Sequence, residues 1–316
     1  MKNIDQIAYK QNIISELEKQ DILSTEWKNS LVIGDVHFGI KSNSLQWYEQ
    51  QEHFFKEQVI PIIENANEYN IDCVIFLGDV FDIRYSTNNY IGCKIKELFR
   101  EINKSAKASN INVYILAGNH DYYSPIEELK DYNTYESVFG KEFLECNSNI
   151  IYTTNKPLYI NKYNNSNIGL GQIALLPWYE TANEEKCLNN LNYIYKYNNV
   201  FHKSEPIRSI YAHWDLEGSQ FTSDIYNKLK DISIPVYSGH IHYIVTNEQM
   251  KLYNNGACCA FTFNDANQSR YVYIINEKEN KYVKIENTIT PKFITLKDEE
   301  IFNDNEEYYN NNYVEL

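Results

Sequence analysis

Basic side chains are scarce: 29 Lys and Arg stand against 43 Asp and Glu, a formal net charge of −14 over 316 residues. Such a balance gives no counterion-release drive toward a polyanion and argues against a self-sufficient duplex binder. Cysteine is also sparse. The six present (Cys73, Cys93, Cys146, Cys187, Cys258, Cys259) show neither zinc-like pairing nor the spacing of a disulfide framework. Several sit within apolar runs, as buried thiols do in a reducing cytoplasm. No apolar run approaches the ~18 residues of a membrane span, and Met1–Asp5 lacks the apolar core of a signal peptide. There is no internal repeat and no linker long enough to separate two independent domains.

What the chain does contain is one pattern five times over. Val74-Ile75-Phe76-Leu77 reads as a buried strand, Gly78 breaks it, and Asp79 emerges at its carboxyl end. Leu31-Val32-Ile33-Gly34 delivers Asp35 and His37 in the same way. Val113 to Gly118 delivers Asn119, His120 and Asp121; Ser209 to Ala212 delivers His213; Val236 to Gly239 delivers His240 and His242. In open α/β sheets that edge is where ligands bind. Five of the seven histidines keep this phase, while His53 and His202 fall outside it and read as surface or packing residues. Polar loops alone would explain one or two such positions. They do not explain five edges delivering Asp, His and Asn, the donors of borderline-hard divalent metals.

In order and spelling the pieces (Asp-Val-His, Gly-Asp-Val-Phe-Asp, Gly-Asn-His-Asp, a lone His, Gly-His-Ile-His) resemble the calcineurin-like metallophosphoesterases, over roughly Leu31 to Ile289. His37-Phe38-Gly39, Gly78 to Asp82 and His213-Trp214-Asp215 are most similar to the SbcD type. That type is the nuclease half of double-strand-break repair complexes and of their phage recombination counterparts. The resemblance implies an α/β fold, a metallophosphoesterase-type β-sandwich of mixed sheets flanked by helices, with the motifs at the carboxyl ends of strands. It implies two divalent metal ions, manganese foremost, with magnesium, iron or zinc as alternatives. Carried over position by position, Asp35, His37, Asp79 and His242 hold the first ion, and Asp79, Asn119, His213 and His240 the second. Asp79 is the bridge. His120 is the proton donor to the leaving group, oriented by Asp82. Asp82 is equally compatible with capping a helix, and Asp121 reads as structural. No Ser, Cys or Thr beside a motif histidine demands a covalent route, so the implied nucleophile is a hydroxide bridging the metals.

Around the motifs the chain divides into a helical amino-terminal extension (1–30), a metallophosphoesterase domain (31–290) and an acidic carboxyl-terminal tail (291–316). In the extension Ile4, Ile7, Ile13, Ile14 and Leu17 take helical spacing, suited to packing on the body; covering a sheet edge is the expected role, docking a partner the alternative. Ser44 to about Tyr69 reads as a helix bent or split at Pro61, and Asn89 to about Lys107 as a second, giving a βαβαβ rhythm and a largely parallel sheet. Beyond Phe139 strands are expected near Ile150–Thr153, Leu158–Asn161 and Ile168–Pro177, then a helix near Glu184–Tyr197. Gly256–Phe263, Tyr271–Ile275 and Tyr282–Ile285 read as a closing antiparallel set. The last twenty residues hold seven acids and one lysine, the composition of a solvated, partly disordered tail.

Protein Ser/Thr phosphatases of the superfamily carry Asp-Arg-Gly after the second motif and Gly-Asn-His-Glu as the third. Here these read Asp82-Ile83-Arg84 and Gly-Asn-His-Asp, which sets that class aside. The expected function is a two-metal DNA nuclease acting with an SbcC-like, DNA-binding ATPase in a bacterial or phage-infected cytoplasm. A homodimer is compatible with it. The alternative is a small-molecule phosphodiesterase or phosphomonoesterase; a dead scaffold is disfavoured by the intact ligand positions. Phe38, Tyr122, Trp178, Trp214 and Tyr243 flank the motifs as candidates for stacking on unpaired bases, with core packing the expected job of at least half.

Overall fold

The computed structural model describes residues 4–82, 84, 88–163, 169–201, 205–216, 221–296 and 312–315. Strands β1 (Asn29–Ile33), β2 (Ile71–Phe76), β3 (Asn112–Leu116) and β4 (Ile150–Thr153) run parallel. The hairpin of β11 (Tyr271–Asn276) and β12 (Lys281–Glu286) extends this sheet antiparallel beside β1. The second sheet has the spatial order β5 (Leu158–Tyr163), β6 (Gly169–Leu176), β7 (Ile207–His213), β8 (Val236–Gly239), β10 (Leu252–Asn254), β9 (Val245–Asn247). Its four inner strands are parallel, and β5 and β9 close the edges antiparallel.

Side chains alternate along each strand, and the alternation sorts them into three cores. Val32, Ile75, Leu116, Ile173, Leu175, Tyr211 and Tyr237 meet between the sheets. Leu31, Ile33, Val74 and Phe76 face the other way, onto Phe55, Ile95 and Phe99 of the flanking helices. Ala174, Leu176, Ile210 and Ala212 pack on helices Glu184–Lys196 and Ser223–Ile232. The layers are therefore helix, sheet, sheet, helix, the mixed α/β sandwich expected. Between the sheets, at the amino-terminal ends of β1 and β2, buried Glu277 accepts from Trp27, Ser30 and Tyr211. Lys162 pairs there with Asp72 and donates to Ser30 at 3.0 Å, so both buried charges are compensated.

Asp5 caps helix Gln6–Lys19 by accepting from the Ile7 and Ala8 amides. Ile13 and Leu17 of that helix enter the main core and the helix lies against edge strand β12, whereas Ile7 is 78% exposed. The helix predicted from Ser44 is in fact helix Leu45–Phe54, a π-helical turn Phe55–Val59 and helix Ile60–Glu64. Pro61 has no N–H to give, and the wider turn before it absorbs the missing bond. Asn88 caps helix Asn89–Ala108.

Three expectations change. Residues beyond Phe139 first continue helical, over Gly140–Cys146. Gly256–Phe263 is not a strand: it is a connection, buried over Gly256 to Phe261, whose Ala257 and Cys258 amides go to the carbonyls of His242 and Asp35. Of the acidic tail, residues 297–311 and 316 lie outside the described residues, but Tyr313–Glu315 forms β14, parallel to β13 (Phe293–Thr295). Tyr313 and Phe293 there cluster with Trp47, each ring against the other two. His202 and Ile168 also lie outside the described residues. All six cysteines are unpaired, with Cys93 and Cys146 exposed. Among the described residues no helix is long and apolar enough to cross a membrane.

Candidate metal centre

The carboxyl ends of β1, β2, β3, β7 and β8 converge, so the five polar endings meet across the two sheets. Asp35, His37 and His242 form one group, and Asp79, His213 and His240 another, with the ligand atoms of each within 4.8 Å of one another. Asp79 stands between them: its Oδ2 lies 3.4 Å from His213 Nε2 and 3.7 Å from His37 Nε2. The other oxygen, Oδ1, accepts the His120 amide at 2.8 Å. Asn119 Oδ1 joins the second group, 2.9 Å from His213 Nε2 and 2.8 Å from His240 Nδ1.

Holding these groups costs backbone strain. His37 (φ 53°), Asp79 (φ 45°) and His240 (φ 87°) occupy the left-handed region, which costs a non-glycine residue on the order of 1–3 kcal/mol. Two glycines make the crowding possible. A Cβ on Gly118 would fall 2.2 Å from Asp79 Oδ1, and one on Gly78 (φ 101°) 2.6 Å from His213 Nδ1.

The donor set fits a pair of divalent cations. His213 Nδ1 donates to the Leu77 carbonyl at 2.8 Å, which leaves Nε2 to offer its lone pair inward. That atom is 3.2 Å from His240 Nδ1, and His37 Nε2 is 3.0 Å from His242 Nε2. Imidazole nitrogens and carboxylate oxygens converging this closely are matched by cations between them. The electrostatics show the same tension. Burial pushes Asp35 up to about 7. Burial and then the neighbouring His213 and His37 charges press His240 and His242 each down to about 4. Asp79, in contrast, is held well below the usual carboxylate range, since His213 and His37 outweigh its burial.

His37, Asp82 and His120 make a third cluster of the same tightness. His37 turns Nε2 toward Asp79 and His242 and Nδ1 toward Asp82, whose Oδ1 is 3.3 Å away without hydrogen-bond geometry. His120 Nδ1 donates instead to the main-chain carbonyl of Asp82, at 2.7 Å. The orienting contact on His120 is thus Asp82's backbone, and its carboxylate faces His37.

Sequence reasoning passed over several supports. Gln51, from helix Leu45–Phe54, is buried and donates to the Val36 carbonyl at 2.6 Å, just before His37. Arg270 donates to the His242 carbonyl, and Thr181 to that of His213 at 2.9 Å. Nothing local marks these residues; only the fold brings them in. Asp121, read as structural, accepts from the Gly118 and Phe81 amides. His53 is half-buried and joins none of the ligand groups among the described residues. Of the flanking aromatics, Phe38, Tyr122 and Trp214 are buried, Trp178 packs on the core, and Tyr243 is exposed.

An α/β sandwich with two adjacent groups of candidate metal ligands at its strand ends has the layout of a metal-dependent hydrolase. The chain belongs to the calcineurin-like phosphoesterase family, whose sequence model matches residues 29–243. Activity in this family is metal-dependent phosphoester hydrolysis. The chain is also similar to the DNA double-strand break repair protein Mre11 of Methanococcus maripaludis, 25% identical over 128 residues. That match takes in 40% of this chain and 32% of the relative. A solved chain superposes on 83% of this one and 100% of itself at TM-score 0.41 and 10% identity, too remote to add to the assignment.

Proposed function

We propose that this chain is a divalent-metal-dependent DNA nuclease hydrolysing phosphodiesters, working with an SbcC-like ATPase that supplies the grip on DNA. The observation that carries the metal chemistry is Asp79 Oδ2, placed between His37 Nε2 and His213 Nε2. In this reading Asp35, His37, Asp79 and His242 hold one ion and Asp79, Asn119, His213 and His240 the other. Two cations held there would neutralise phosphate charge and make an attacking water more acidic. Manganese suits the mixed carboxylate, amide and imidazole donors. Neutral Asn119 keeps the site from gathering charge that would repel a phosphate.

His120 sits beside the ligands without belonging to either main group. Because its Nδ1–H is given to the Asp82 carbonyl, donation from Nε2 to a leaving oxygen requires the imidazolium. Asp82 then has two tasks: its carbonyl orients His120 and its carboxylate faces His37. The Mre11 similarity supports DNA as substrate. The net charge of −14 supports a partner that binds the duplex, and equally favours the second reading, a small phosphodiester substrate.

The test is digestion of end-labelled single- and double-stranded DNA by the stripped chain with manganese, with and without the ATPase. A nucleotide diester and nitrophenyl phosphate are assayed alongside. Metal-dependent cleavage of DNA is expected. Turnover of the small diester with intact DNA would replace the nuclease reading by the second one.

A further inference from the structure

The aromatics nominated by their closeness to the motifs are mostly withdrawn from solvent: Phe38, Tyr122 and Trp214 are at most 1% exposed. Two other tyrosines, on the chain that follows the third motif, are not. Tyr123 is 48% exposed and Tyr132 64%. The backbone holds them together, with the Tyr123 amide donating to the Tyr132 carbonyl at 2.9 Å next to the Tyr122–Asn133 bridge. Both line a cavity of about 400 Å³, with Arg84, Asp131, Asn133 and Glu136. That volume lies within the ~300–1,000 Å³ of small-ligand sites.

The cavity is built on the loops of the metal centre. Arg84 stands two residues beyond Asp82, and Tyr123 three beyond His120. Tyr135, buried behind the lining residues Thr134 and Glu136 that flank it in sequence, donates its hydroxyl to Asp121 at 2.8 Å. Its lining suits a base better than a phosphate: exposed rings and an amide, with two carboxylates that repel an anion and one guanidinium at the loop near Asp82.

We propose that this cavity is a nucleobase subsite, taking the unpaired base next to the phosphodiester at the metal centre. The base stacks on Tyr123 and Tyr132, and Arg84 meets the adjoining backbone. The inference rests on the nuclease reading above. A base inside a duplex has both faces covered by its neighbours, so the strand must be unpaired at the cut. Stacking does not depend on counterion release, which a chain of net charge −14 cannot exploit.

The experiment uses the full chain with manganese, a single-stranded oligonucleotide whose cut position has been mapped, and the same strand with one abasic nucleotide beside that cut. Tyr132→Ala should lower kcat/KM on the intact strand about tenfold, on the order of one lost stack. The abasic strand should cost the wild type as much, and the two changes together no more than either alone. Tyr123→Ala serves as a second variant, with melting temperature and metal content confirming that both variants fold. Independent, additive losses, or no loss in either variant while the wild type still cuts, would overturn the subsite and leave the nuclease standing. Hydrolysis of nitrophenyl phosphate with no oligonucleotide cut by the wild type would overturn the nuclease reading, and the subsite with it.

Discussion

Asp121 Oδ2 accepts the Tyr135 hydroxyl at 2.8 Å, and the same oxygen accepts the Gly118 amide at 2.8 Å. Its Oδ1 takes the Phe81 amide at 3.0 Å. One buried carboxylate thus clasps the loop after β2 to the loop after β3, on both sides of Asp79 with its left-handed backbone. Burial, and then repulsion from Asp79, pushes Asp121 up to about 6, so the clasp is kept against an electrostatic cost.

Asp121→Ala leaves the Gly118 and Phe81 amides buried without an acceptor. A loss of about 3 kcal/mol in metal-free stability is expected, read by urea unfolding in EDTA. Divalent-ion affinity should fall too, although every ligand is still present. Unchanged calorimetric binding would show that Asp79 keeps its place without the clasp.

Asp79 Oδ2 lies near inward ring nitrogens of both groups, whereas Asp35 is a ligand candidate in the His37–His242 group alone and meets the other group only through His213 Nδ1 and the His240 amide. Asp79→Ala should therefore reduce binding of both ions, and Asp35→Ala chiefly of one, by elemental analysis of the stripped and reloaded variants. If Asp79→Ala retains both ions while Asp35→Ala does not, the bridge has been misplaced.

His120→Asn should keep both ions and lose about 10²–10⁴ in turnover, the contribution of a positioned acid. On a nitrophenyl ester, whose leaving group needs no proton, the deficit should shrink. Loss of metal would make His120 a ligand instead, and an equal deficit on both esters would assign it to phosphate positioning.

The Asp79–His213 pair has a signature in pH. Burial alone would lower His213, but Asp79 outweighs it and holds the imidazole up at about 9, above the unfolded value near 6.5. Its contribution is complete below about pH 6.5 and is lost as pH rises toward 9. Asp35, raised to about 7, acts in the same sense up to that pH. Metal-free protein should thus lose stability as pH rises from about 7 to 8. The slope should be shallower in His213→Asn, where His37, its burial outweighed by Asp82 and Asp79 so that it too sits above its ordinary value, still contributes in the same sense. With manganese bound the slope should flatten or invert, because coordination needs the neutral ring and expels the proton. Melting curves in EDTA that rise across this window would refute the pairing.

The strand ends were legible because buried parallel strands are near-continuous apolar runs, and a first ligand within three residues of each end is hard to disguise. Gly256–Phe263 met the same apolar criterion and was read as a strand. Its backbone is spent on Asp35 and His242, which hydropathy does not register. Core packing of at least half the flanking aromatics holds, but which ring stays exposed is not local information: Tyr122 and Tyr123 are neighbours, yet one is fully buried and the other 48% exposed. Tyr122 meets Tyr179 at 4.4 Å between ring centres, a contact made by a helix far along the chain. Long-range supports such as Gln51, Arg270 and the Lys162–Asp72 pair share that cause.

The most direct measurement is a calorimetric titration of the EDTA-stripped chain with manganese, with hydrolysis of a labelled oligonucleotide followed at each addition. About two ions per chain are expected, with activity appearing as the second site fills. Full activity in EDTA, or activity that saturates with a single ion bound, would contradict the two-ion centre built around Asp79.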